Sequence, residues 1–169
     1  MIEGLALPTD RPLEREELLS LVESVAGRRE LWSPHIDPTA TERTYASLHR
    51  DATVDVWAIF WLPDNDTGWH DHDTSGGAVH VVDGALEEHA LLVGAPERRA
   101  LHRAGTSFAF TPSHIHRLTC AVEKAISIHA YSPPLWRLGQ YSVAPDGALH
   151  RVSVSYADEL RPLELYAAA

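Results

Sequence analysis

The stretch VDVWAIFW, residues 54–61, decides the fold class. Val54, Val56, Ala58 and Phe60 alternate with Asp55, Trp57, Ile59 and Trp61. A period of two puts successive side chains on opposite faces of a strand. Both sets are largely apolar beyond Asp55, so the strand is expected to be covered on both sides. Reading downstream, Pro63-Asp64-Asn65-Asp66 is a turn and residues 78–82 form a strand. Asp83-Gly84 is a hairpin signal, with residues 85–93 as the return strand. Further short strands are expected at residues 107–111, 116–121 and 125–131. A last hairpin joins residues 141–143 to 149–156 through Pro145-Asp146-Gly147.

Upstream, the period changes. Residues 12–26 predict a helix, with Asp10 as cap, Pro12 in the first turn and Glu14, Glu16 and Glu17 at the positive end. Leu18, Leu21, Val22 and Val25 make its apolar stripe and Gly27 its stop. Residues 31–41, with Pro34 and Pro38, read as a loop. One helix followed by many short strands predicts an all-β fold, a small antiparallel barrel or sandwich. No repeat or linker divides the chain. One domain is expected, with a helical segment at about residues 11–27 and the barrel at about 42–156.

Composition narrows the function. The chain has 169 residues, 44% of them hydrophobic, and a formal net charge of −10. It has no basic tract, which argues against nucleic acid as a partner. Cys120 is the single cysteine, so neither an intrachain disulfide nor a cysteine zinc cluster forms. No signal peptide and no membrane-length apolar run is read, and a cytoplasmic location is expected.

The chemistry-bearing stretch is TGWHDHDTSGG, residues 67–77. On a strand, His70 and His72 aim at one point while Trp69 and Asp71 face elsewhere. Neutral imidazoles converging on a point suit a divalent transition metal. A distant strand must supply the third ligand, and His114 and His116 repeat the two-apart spacing. The remaining histidines, His35, His49, His80, His89, His102 and His150, lack this clustering and read as surface or structural groups. No Glu or Asp follows His72 at a ligand distance on the same face. A set of three neutral histidines would leave the metal's positive charge intact and favour an anionic ligand. Ser127, His129 and Tyr131 also share one strand face, a hydroxyl–imidazole–phenol line, while Ile126, Ile128 and Ala130 take the other.

GWHDH, the His116-Arg117 pair and SIHAYSPP at residues 127–134 together resemble the cysteine dioxygenase group of thiol dioxygenases, within the cupin superfamily. The resemblance covers roughly residues 45–134. It implies a small cupin β-barrel holding one non-haem iron(II) on His70, His72 and His116, with His114 as the alternative third ligand. It further implies a Ser127–His129–Tyr131 relay and oxidation of a small thiol by dioxygen to the sulfinate. Gly77 stands where animal members carry a cysteine crosslinked to the tyrosine, so a bacterial-type enzyme with an uncrosslinked Tyr131 is expected.

The family's early Tyr-x-Arg, whose arginine grips a substrate carboxylate, is absent from ERTYASLHRD. Arg43, which shares parity with Tyr45, is favoured for that role over Arg50 and Arg137. The substrate is left open among L-cysteine, 3-mercaptopropionate and other small thiols. Trp57, Trp61, Trp69 and Trp136 flank the motifs, as core or as pocket walls. Asp71 and Asp73 are expected to bond loop backbone rather than a metal. Two other functions compete: a different cupin reaction on the same metal, and a barrel that binds metal or a small molecule without catalysis.

Overall fold

In a computed structural model, residues 7–8, 10–92, 94–144 and 147–157 are described. The chain begins with helix α1 (Arg15–Ala26), a single turn α2 (Arg29–Trp32) and a 3-10 turn at Ser33–His35. Eleven strands follow among the described residues: β1 (Thr44–Arg50), β2 (Asp55–Trp61), β3 (Trp69–Asp71), β4 (Gly76–Asp83), β5 (Ala85–Leu92), β6 (Ala95–Arg103), β7 (Ser107–Phe110), β8 (His116–Cys120), β9 (Ala125–Ser132), β10 (Arg137–Val143) and β11 (Leu149–Ser155).

These strands make two sheets, of order β1-β2-β9-β4-β7 and β11-β10-β3-β8-β5-β6. The named strand pairs are antiparallel. The antiparallel β class with an N-terminal helix is as expected, but neither sheet closes on itself into a barrel.

The expected Asp83-Gly84 hairpin is corrected. β4 pairs with β7 and β9, whereas β5 pairs with β6 and β8. Gly84 therefore carries the chain from one sheet to the other rather than folding it back. Its φ is +74°, and a Cβ there would lie 2.2 Å from the carbonyl oxygen of Lys124. The glycine signal is real, but it marks a corner, because the apolar faces of β4 and β5 belong to different layers. Strand β5 lies instead between β8 and β6, and the mixed sequence of β6, APERRALHR, carries no clear alternation to mark it as a strand.

The helix also starts later than expected. The Leu13 N–H is held by Ser132 Oγ at 2.7 Å, which ties the residues after Pro12 to β9 in extended form. Glu14, not Asp10, is the cap, and its N–H donates to Glu17 Oε2 at 2.7 Å. Such reciprocal pairing satisfies the open donors of a first turn. The expected loop at 31–41 opens with helical turns, because Trp32 is buried and its Nε1 donates to the Ala26 carbonyl at 3.1 Å.

The stripe Leu18, Leu21, Val22 and Val25 is buried against Val54, Val56, Ala58, Ala78, Ile128 and Ala130. Both faces of β2 are thus used, as its sequence requires. Val54, Val56 and Ala58 meet α1, while Trp57, Ile59 and Trp61 face an interior cavity. Strand β9 divides the same way, with Ile128 and Ala130 outward to α1 and His129 and Tyr131 on the cavity.

Candidate metal centre

The six-stranded sheet supplies an imidazole cluster. His70 on β3 and His116 on β8 are directly opposite each other in register. His72 follows one step past the end of β3, where Asp73 turns the chain at φ +55°. The three rings have centroids 4.7 to 5.2 Å apart. One ring nitrogen from each lies within 4.8 Å of the others, and all three side chains are buried. Burial, followed by the neighbouring His116, holds His70 well below the ordinary histidine range, and burial does the same for His72. Both rings are therefore neutral and offer lone pairs.

Hydrogen bonds orient these lone pairs. His70 Nδ1 is 3.0 Å from the Gly68 carbonyl, which can only accept, so Nδ1 carries the proton. His116 Nδ1 is 2.8 Å from Glu88 Oε1 and its buried Nε2 has no partner. His72 Nδ1 is also buried without a partner. Unpartnered polar atoms in a buried site are costly unless something fills them. Three neutral imidazoles with such atoms fit a divalent first-row metal.

The facing sheet supplies the second motif. Ser127 Oγ is 2.8 Å from His129 Nε2, and His129 Nδ1 is 3.1 Å from the Tyr131 hydroxyl. The line that parity predicts is thus a bonded chain, closed by side-chain lean despite the strand repeat. Trp61 Nε1 extends it, donating to Ser127 Oγ at 2.8 Å. Burial, then His116 and Arg43, push His129 down to about 3, so it is neutral.

Indole only donates, and Ser127 is fully buried, so its hydroxyl proton needs an acceptor. His129 Nε2 is that acceptor. His129 Nδ1–H then donates to Tyr131, whose own proton is left for the cavity. Burial, then the nearby Asp55, raises the Tyr131 phenol above its usual range, so it keeps that proton. Its ring stacks on His72 at 5.2 Å.

Gly77 lies beside this ring. A Cβ there would meet Phe110 Cζ at 2.4 Å and Tyr131 Cδ1 at 3.1 Å. The Phe110 ring, stacked on His72 at 4.4 Å, fills the space a longer side chain would need.

The cavity between the sheets measures about 90 Å3 and is lined by His70, His72, His116, Tyr131, Arg43 and a wall of Tyr45, Trp57, Leu135, Leu138 and Tyr156. Arg43 is the one cationic arginine or lysine on this lining, and no carboxylate lines it, among the described residues. The Arg43 guanidinium sits 5.4 Å over the Trp61 ring.

Arg50 and Arg137 do not share the cavity. Arg50 is ion-paired with buried Asp55, bonds the Leu135 carbonyl at 2.8 Å and stacks on Trp136 and Tyr156, so it is a packing residue. Arg137 lies in a separate surface groove beside Trp136. Of the four tryptophans near the motifs, Trp57 and Trp61 line the cavity. Trp136 is 70% exposed, and Trp69 turns away to His89 and Arg117. Asp71 does bond backbone, accepting from Gly139 N at 3.0 Å, but it also pairs with Arg151 at 2.9 Å.

Glu88 was missed. It sits on β5 and contacts His116, His114 and His102 at 2.8, 3.0 and 3.3 Å. His102, read as a surface or structural group, is structural and joins this network, and a carboxylate from another strand stands behind the cluster although none follows His72 on its own strand face. The signal was an acid at the inward position of a strand, between Leu86 and Ala90. No local spacing links it to His116, 28 residues away.

The fold has solved relatives. A protein with a double-stranded β-helix domain from Klebsiella pneumoniae is 15% identical, over 70% of this chain and 91% of that one, with a TM-score of 0.51. A cupin superfamily protein from Desulfitobacterium hafniense is 9% identical, over 75% of this chain and 94% of that one, also at 0.51. At these identities the likeness is one of fold. The family model for cysteine dioxygenase type I matches residues 9–144, a span that contains every residue of the imidazole cluster and of the Ser127–His129–Tyr131 chain. The protein belongs to the cysteine dioxygenase type I family.

Proposed function

We propose that this protein is a mononuclear non-haem iron(II) thiol dioxygenase that converts a small thiolate and dioxygen to the sulfinate. The observation that carries the reading is the imidazole cluster of His70, His72 and His116 facing the Tyr131 hydroxyl across one small cavity. Iron held there would supply a common site for the sulfur and dioxygen. Both oxygen atoms end on sulfur, which loses four electrons as dioxygen gains four, so no external reductant enters.

The chain's residues do the positioning. Arg43 is assigned to the substrate carboxylate through its planar fork. Tyr131 donates its proton outward as a hydrogen bond while His129 holds its oxygen from behind. The tryptophan and leucine wall keeps bulk water from the reacting atoms. Among the described residues no carboxylate lines this cavity to meet an ammonium group. That favours a carboxylated thiol without an amine, of the 3-mercaptopropionate kind, over L-cysteine.

Oxygen uptake by iron-loaded protein with a panel of thiols tests the reading. The expected result is uptake matched by sulfinate, greater with 3-mercaptopropionate than with cysteine or cysteamine. Arg43→Lys should raise the concentration needed for the carboxylated thiols much more than for cysteamine. Thiol and metal binding without uptake would make the protein a binding module and sink the enzymatic reading.

A further inference from the structure

The two strand histidines of the cluster are backed differently. His70 Nδ1–H rests on a neutral backbone carbonyl. His116 Nδ1–H rests on a carboxylate that is 4% exposed. Ring nitrogens of His116, His114 and His102 converge on this one carboxyl at 2.8, 3.0 and 3.3 Å. One N–H from each of the three imidazoles is enough to satisfy the carboxylate. His102 and His114 are themselves held, stacked on Phe108 at 3.9 Å and on Phe110 at 6.1 Å.

We propose that Glu88 is a positioning residue for the metal: it fixes His116 with Nε2 toward the cavity and sets one negative charge behind that imidazole. The inference rests on the metal reading of the cavity. The alternative is that Glu88, His114 and His116, whose ligand atoms also lie within 4.8 Å of one another, hold the ion themselves. That arrangement would use His116 Nδ1. It would leave a protonated, buried Nε2 facing His70 and His72 with no acceptor, so the geometry disfavours it. In the favoured arrangement every N–H of the network has its acceptor, and the lone pair that remains is the one aimed at the cluster. A carboxylate behind a ligand imidazole raises its basicity, and removing such a partner costs about 10- to 100-fold in metal affinity. The ligand set is then not three equivalent neutral histidines, and part of the metal's charge is balanced from the protein side.

Cobalt(II) binding to the full-length apoprotein tests this without turnover. Glu88→Gln keeps the shape and removes the charge. Its cobalt dissociation constant should rise about 10- to 100-fold, with a shifted visible absorption spectrum and an unchanged far-ultraviolet circular dichroism spectrum. Glu88→Asp should restore part of the affinity. His102→Gln should change it far less than Glu88→Gln. Wild-type affinity and spectrum in Glu88→Gln, beside strong loss in His70→Ala, would overturn the proposal alone. Wild-type affinity in His70→Ala would overturn the metal reading and the proposal with it. Loss in His114→Ala equal to that in His70→Ala would make Glu88 a ligand and overturn the positioning role. Should Glu88→Gln fail to fold, nitrogen-15 shifts of wild-type apoprotein decide: His116 protonated at Nδ1 supports the proposal, and protonation at Nε2 overturns it.

Discussion

The direction of the Trp61–Ser127–His129–Tyr131 chain turns on single protons. A donor-only indole at one end and a buried serine next to it leave one arrangement in which the serine and imidazole protons are both accepted and the Tyr131 proton is not. Tyr131 is then a phenol with its proton available to a bound oxygen or thiolate. Tyr131→Phe removes that proton and the acceptor of His129 Nδ1–H but keeps the ring that stacks on His72. A hydrogen bond to a charged group contributes about 1.5–3 kcal/mol, so turnover should fall roughly 10- to 100-fold. Metal content, by elemental analysis, should match wild type. Loss of metal equal to that of His70→Ala would make Tyr131 structural, and unchanged sulfinate yield would remove its chemical role.

Among the elements, the β4–β5 corner is the step that builds the cavity. It sends one continuous run of chain from the sheet that carries Tyr131's neighbours to the sheet that carries Glu88. Gly84 alone makes the corner, at positive φ and against backbone atoms of Lys124 and Ala125. A side chain there suffers both left-handed backbone strain and a clash with atoms that cannot swing away. Gly84→Ala should therefore destabilise the fold by about 2 kcal/mol or more. Urea unfolding would read this as a lower midpoint at unchanged slope. A midpoint equal to wild type would show that the corner tolerates a Cβ and that its geometry is not set by glycine.

At the scale of the molecule, helix α1 closes the outer face of the five-stranded sheet while the inner face, opposite the six-stranded sheet, holds the polar site. The two faces of β2 and β9 separate stability from chemistry. Leu21 is 1% exposed in the α1 cluster and has no place on the cavity lining. Leu21→Ala should cost about 2–5 kcal/mol of stability, measured by urea unfolding. In the protein that remains folded, cobalt affinity should stay near wild type. A large loss of affinity in the folded fraction would show that α1 also tunes the cluster through the sheet.

Short-range periodicity was enough for the strands that are apolar and alternating. It placed β2, β9, the apolar stripe of α1 and the shared face of Ser127, His129 and Tyr131. It also brought His70 and His72 to one side, since a repeat of two is a local property of the backbone. Spacing offered His114 and His116 alike, and motif resemblance favoured His116 and added the family. Pairing was not legible in the same way. Asp83-Gly84 reads as a hairpin from its own residues, and only the partners of β4 and β5 show it to be a corner. Polar β6 carries no pattern of its own and becomes a strand because β5 offers it an open edge. Glu88 looks like an ordinary acid in LEEH until β5 and β8 pair and set it on His116. Arg50 stands as an alternative carboxylate grip until Asp55 and the carbonyl of Leu135 engage it. By itself the sequence determined which residues face inward along each strand, because that depends on neighbours two apart. Only the tertiary structure decided which inward residues meet, because hydrogen bonds between strands join positions that no local spacing relates.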